Sequence, residues 1–193
     1  QTVRGRPNWA DIRIGITDPV PWRVYGNSAP AQAQQLAVAK ANYTRWIGRI
    51  RESGVSIDFI QFDDPYNFVF NNVMGQAGPG SMDHLVQLED FFRYELQVEP
   101  HIVLNDWNGG IAQTTMADEG KWHTGSNRAF ADGVSGMLSS LIGANSRAQG
   151  YVVQSWYRHP DIWLPESNPE SHTGITLQAA RGLQQTQWFW PSP

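Results

Sequence analysis

The chain has 193 residues, 40% of them apolar, with a formal charge of −4 and no cysteine. That length is enough to bury one core of ordinary size, so a single domain over 1–193 is expected. The lack of thiols excludes disulfides, thiolate metal sites and cysteine nucleophiles, the acidic balance argues against a surface that tracks nucleic-acid phosphates, and no apolar run reaches the roughly 18 residues that cross a bilayer.

In chain order, 11–17 reads as an extended piece and 22–26 as a first strand. A helix is predicted over 30–53: Ser28 lies at its start, Pro30 suits the first turn, Leu36, Tyr43, Trp46, Ile47 and Ile50 give a helical stripe, and Gly54 can end it. The apolar run 55–62 is strand-like, followed by a turn at Asp63, Asp64 and Pro65 and by a second strand-like run over 68–73. Ser81 is a good cap for a helix carrying Leu85, Leu88, Phe91 and Phe92, and a strand should follow over 101–107. Ser126 can cap the next helix, with Phe130, Val134, Met137, Leu138 and Leu141 on its apolar side. A strand over 151–156 and a last helix over about 174–185 complete the pattern. Strand and helix alternating in this cadence imply an α/β fold of three layers, a mainly parallel sheet covered on both faces, with ligand sites beyond the carboxyl ends of the strands.

Four stretches at those ends could carry chemistry. Trp22 to Ser28 turns through Gly26 and delivers a serine to a helix N-terminus, where the dipole and backbone N–H groups stabilise an oxyanion; the same residues are also an ordinary turn and helix cap. The glycine-rich run from Asn72 to Ser81 can present backbone N–H groups to an anion, but it lacks the lysine and spacing of a nucleotide loop. Pro100 to Gly110 runs a strand into Asn105, Asp106 and Asn108, whose amides could donate to an oxyanion or simply form a turn. Glu166 to Gly174 places His172 before the last helix with Glu170 and Glu166 close by, and His159 competes for the role of general base.

The order of these stretches, and the elements between them, resemble the SGNH or GDSL hydrolases. Gly26-Asn27-Ser28 is similar to the block that holds the nucleophile, with Asn where the family has Asp. Asn72 to Gly110 resembles the second block with its following helix and third strand, and His172 with Leu177, Ala179, Ala180 and Leu183 resembles the last block. The third block is less regular, since Asn105 and Asn108 are rival assignments, and Pro169 holds the position three before the histidine where the family has its acid. The resemblance implies a flavodoxin-like sheet and a serine hydrolase acting on an ester, an acylated carbohydrate or other small ester. Ser28 would be the nucleophile, His172 the base and Glu170 its orienting partner, with Gly78, Asn108 and Asn105 around the oxyanion. It implies no metal and no organic cofactor.

Two other functions fit the residues. Phe59 to Asp64 resembles the acidic strand ends of some barrel glycosidases, and Asp106 ends another predicted strand, so Asp63, Asp64 and Asp106 are candidates for carboxylate-dependent glycoside cleavage. Against it, 193 residues are few for eight βα units. A binding or assembly protein that retains the hydrolase scaffold is the third, and nine tryptophans offer stacking platforms for a glycan. A chain beginning at Gln1 is compatible with a processed, secreted or extracytoplasmic protein. Neither the oligomeric state nor the acyl and alcohol parts of a substrate can be read from these residues.

Overall fold

The computed structural model describes residues 13–19, 29–63, 82–105, 127–154 and 164–185. Among these residues four strands alternate with four helices: β1 (Gly15–Pro19), α1 (Ala29–Glu52), β2 (Phe59–Asp63), α2 (Met82–Asp90), β3 (Glu99–Asn105), α3 (Asn127–Gly143), β4 (Gly150–Gln154) and α4 (His172–Gln185). A π-helical turn, Phe91–Glu95, continues α2. The strands expected over 22–26 and 68–73, and the caps Ser81 and Ser126, lie outside the described residues.

The helices end where local chemistry dictates. Val55 N–H donates to the Ile50 carbonyl at 3.3 Å and Gly54 N–H to that of Arg51 at 2.9 Å, with Gly54 at φ 83°. This is the paired bonding of a Schellman stop, which needs a left-handed residue just past the helix. The end of α3 repeats it with Ser146 N–H on Leu141 and Asn145 N–H on Ile142, and here Asn145 takes the left-handed position at φ 61°. Along α1, Ala39, Tyr43 and Ile47 are buried at the i, i+4, i+8 spacing of one helix face. Trp46, expected in that stripe, is 39% exposed, because it falls between the rows that meet the core.

All four strands are parallel and lie in the order β1-β2-β3-β4. Every described helix contributes buried side chains to one hydrophobic cluster. Its strand members, fully or partly buried, are Ile16, Ile60, Phe62, Ile102, Leu104, Tyr151 and Val153. Ile16 pairs with Ile60, Phe62 with Ile102, Ile102 with Tyr151 and Leu104 with Val153, so these residues occupy one face of the sheet. At its centre the Phe92 ring meets Tyr43 edge-on at 4.6 Å and Phe62 at 5.5 Å, joining the π-helical turn to α1 and β2.

The α/β character and the parallel sheet expected from the sequence are present. Among the described residues the helices pack on one face, and the four strands run in sequential order. The two observations have one geometric cause. Right-handed crossovers that always step in the same direction put every helix on the same side, whereas a reversal of direction would send later helices to the other. No described helix is long and apolar enough to cross a membrane.

Candidate functional site at the carboxyl edge of the sheet

Alternation along each strand sends every second residue away from the helices. On β2 these are Phe59, Gln61 and Asp63, and on β3 Glu99, His101 and Val103. Thr17 pairs with Gln61 and Gln61 with His101, while Val103 pairs with Val152. This face is therefore mostly polar, in contrast to the apolar face beneath the helices.

Its amino end is filled by aromatic rings. Phe59 and His101 stack with centroids 4.6 Å apart and planes 9° from parallel. Each ring lies over a glycine on the neighbouring edge strand. A Cβ added to Gly15 would stand 2.0 Å from the Phe59 ring, and one added to Gly150 would stand 2.8 Å from the His101 imidazole. The Arg13 guanidinium lies 5.6 Å from the Phe59 centroid and is ion-paired at 2.5 Å with Glu99, whose carboxylate is 3.5 Å from His101 Nε2. Burial lowers the His101 pKa, against the opposing pull of the Glu99 hydrogen bond and charge, so the ring is neutral at pH 7.

The carboxyl end carries the acid. Asp63 closes β2, half-buried, with its Oδ1 screened from solvent, and its backbone pairs with Pro19 at the end of β1. Asn105 closes β3 and pairs with Gln154 at the end of β4. In the sequence Asp64 follows Asp63 directly and Asp106 follows Asn105.

The residues of the serine-hydrolase expectation are distributed differently. Ser28, Gly78, Asn108 and His159 lie outside the described residues, as do Asp64 and Asp106. His172 is described: it is the first residue of α4, exposed, with its ring 6.0 Å from that of Phe130. Glu170 is partly buried, and its backbone N–H donates to Asn168 Oδ1 at 2.8 Å. Among the described residues there is no hydrogen bond between the Glu170 carboxylate and the His172 ring. The start of α4 is held instead by Ser171, a buried N-cap whose hydroxyl accepts from Gly174 N–H at 3.0 Å. Gly174 is itself required, since a Cβ there would come within 2.4 Å of the Asn168 carbonyl oxygen.

A second polar cluster was not anticipated from the sequence. Glu89 on α2 is fully buried, accepting hydrogen bonds from the Ser146 hydroxyl at 2.8 Å and from Arg147 N–H at 2.6 Å. The Ser146 hydroxyl is also 3.5 Å from that of Tyr151. Desolvation pushes the Glu89 carboxyl up to about 7, although its hydrogen bonds pull the other way, and burial raises Tyr151 to about 12. Ser146 and Arg147 lead into β4, so the cluster ties the amino side of that strand to α2. The signal in the sequence was a carboxylate at i+4 from Leu85 and one after Leu88, within the apolar stripe of α2.

Comparison with known proteins gives no match: no family model fits the chain, and neither the curated proteins nor the solved structures contain a significant relative.

Proposed function

We propose that the chain is a carboxylate-dependent, glycosidase-like hydrolase that works at the carboxyl edge of its sheet. The observation that carries this reading is the position of Asp63: a half-buried carboxylate at the end of β2, on the polar side of a sheet whose helices pack on the other. Parallel strands in sequential order with one-sided helices are the layout of consecutive units of a βα barrel, where reactive groups issue from the strand ends. Four such units fit within 193 residues, so the length objection applies to a full barrel from one chain and not to this layout.

In this mechanism Asp63 exchanges a proton with the glycosidic oxygen. A second carboxylate, from Asp64 or from Asp106 beyond β3, acts as nucleophile or activates water. Separations of about 5 Å give retention and about 6.5–9.5 Å inversion. The tryptophans offer apolar ring faces on which sugars stack.

The test is hydrolysis of a panel of aryl glycosides by the parent chain and by Asp63→Asn. A general acid or base contributes about a hundred- to ten-thousand-fold, so kcat should fall by that factor while circular dichroism stays unchanged. Full activity in Asp63→Asn, or no cleavage of any glycoside by the parent, overturns the reading.

The serine-hydrolase reading is favoured by one feature, an exposed His172 at the start of α4 with no hydrogen bond from its ring among the described residues, open to a substrate. On that reading Ser28 attacks an ester carbonyl, His172 takes the proton and Glu170 orients it, with Gly78 and Asn108 or Asn105 as oxyanion donors. An organophosphate adduct located on Ser28 by mass spectrometry, with no glycoside cleavage, decides for it; an unlabelled Ser28 decides against it.

A further inference from the structure

Glu89 stands beside the amino end of β4, away from the carboxyl edge where Asp63 lies, and its carboxyl is fully buried against the connection from α3 to β4. The Ser146 hydroxyl is 2.8 Å from one carboxyl oxygen, and Arg147 N–H donates to the other at 2.6 Å. Ala148 N–H adds a further bond to the same group. A hydroxyl donates to a carboxylate or accepts from a carboxylic acid, so Ser146 serves Glu89 in either protonation state. The titratable groups that face Glu89 come from three elements. Asp90, beside it on α2, disfavours its ionisation. Tyr151 on β4 has its hydroxyl 3.5 Å from that of Ser146. Arg147 offers Glu89 its backbone, while its exposed guanidinium donates to the Tyr94 hydroxyl at 3.3 Å.

Two backbone bonds bracket this span. Ser146 N–H donates to the Leu141 carbonyl at 2.9 Å and closes α3, and Gln149 N–H donates to the Pro100 carbonyl at 2.7 Å just before β4 begins. Between them the N–H groups of Arg147 and Ala148 are held by Glu89. Their bonds can let go without undoing either the helix or the strand. We infer that Glu89 is a proton-operated latch: while it holds its proton the connection over 146–148 stays closed on α2, and loss of that proton lets the connection open locally with the sheet still formed.

The physical basis is access of water to the carboxyl. In the closed form burial holds its titration up at about 7, whereas a hydrated glutamate titrates at 4.5. Between these values opening releases a proton, so each pH unit raises the opening equilibrium tenfold, about 300-fold in all, and above 7 the gain levels off. The latch therefore distinguishes acidic from neutral surroundings. What it frees is the backbone that carries Arg147, and with it the contact between Arg147 and Tyr94. It does not depend on the glycosidase reading, because none of these groups lies at the carboxyl edge.

Amide hydrogen exchange followed by NMR, corrected for the intrinsic pH dependence of exchange, reads local opening residue by residue. In the parent chain, protection of Arg147 and Ala148 should fall by as much as about 300-fold between pH 4.5 and pH 7. At each pH it should lie well below that of Ile102 and Leu104 on β3. In Glu89→Gln it should not change with pH. Protection equal to that of Ile102 and Leu104 throughout would mean that only global unfolding exposes Glu89, and the latch is overturned. An unchanged protection in the parent, or the same fall in Glu89→Gln, overturns it as well. A second measurement needs no variant. The side-chain carboxyl carbon of Glu89 should titrate with a midpoint at about 7, and the amide shifts of Arg147 and Ala148 should follow it. A midpoint at 4.5, or amide shifts that ignore the titration, ends the inference even if Glu89→Gln fails to fold.

Discussion

Glu89 illustrates how one side chain makes stability depend on pH. Its carboxyl titrates at about 7 when folded, well above its value of 4.5 in an unfolded chain. Between these values the folded form holds a proton that the unfolded form has released, so rising pH favours unfolding. The contribution is complete below 4.5 and is lost as pH climbs through 7, with an upper limit of about 3 kcal/mol. Urea unfolding at pH 5 and pH 8 should therefore show a larger loss in the parent chain than in Glu89→Gln, which keeps a hydrogen-bonding amide and has nothing to titrate. Equal losses in the two would remove Glu89 as the cause. Gly174 makes a steric counterpart: with Asn168 O only 2.4 Å from where a Cβ would sit, Gly174→Ala should cost about 1–3 kcal/mol, read as a lowered Tm. Neither role could be read from residue type alone. A buried glutamate and a crowded glycine are defined by what the fold brings to them, and only the position of Glu89 on an apolar stripe hinted at its burial.

At the scale of elements the sequence was more informative. The stop of α1 at Gly54 and the apolar faces of α1, α2 and α3 follow from helical spacing, and each is present. Because Gly54 sits at φ 83°, Gly54→Ala should cost about 1–2 kcal/mol, measurable by chemical denaturation. Phe92 bridges the π-helical turn, α1 and β2, so Phe92→Ala should cost about 3–5 kcal/mol and broaden the near-ultraviolet signal of its ring neighbours. A loss below about 1 kcal/mol would show that the ring cluster is not a packing centre. The strands were less legible. Val55 to Phe62 reads as strand-like over its whole length, with Ser56, Asp58 and Gln61 among its apolar residues, yet β2 occupies only Phe59–Asp63 and alternates between half-buried and buried. The row of Gln61, His101 and Asp63 draws on two strands, so spacing within one segment did not disclose it.

For the whole molecule, the alternation of strands and helices conveyed parallel pairing but not strand order. Periodicity is a property of single segments, whereas order depends on the direction each crossover takes, and nothing in a crossover's own residues records it. That is why the expectation of helices on both faces met a sheet with its described helices on one. Asp63 belonged to the candidate residues from the start, because an acid after an apolar run is visible in sequence. His101 did not, because its neighbours Phe59 and Gly150 come from other strands. The order β1-β2-β3-β4 also bears on how the chain reaches this state. Each described strand lies beside the described strand before it, so the loop closed between them spans one helix and its connections. A ribosome releasing the polypeptide from its amino end would supply each of these strands to an edge already formed.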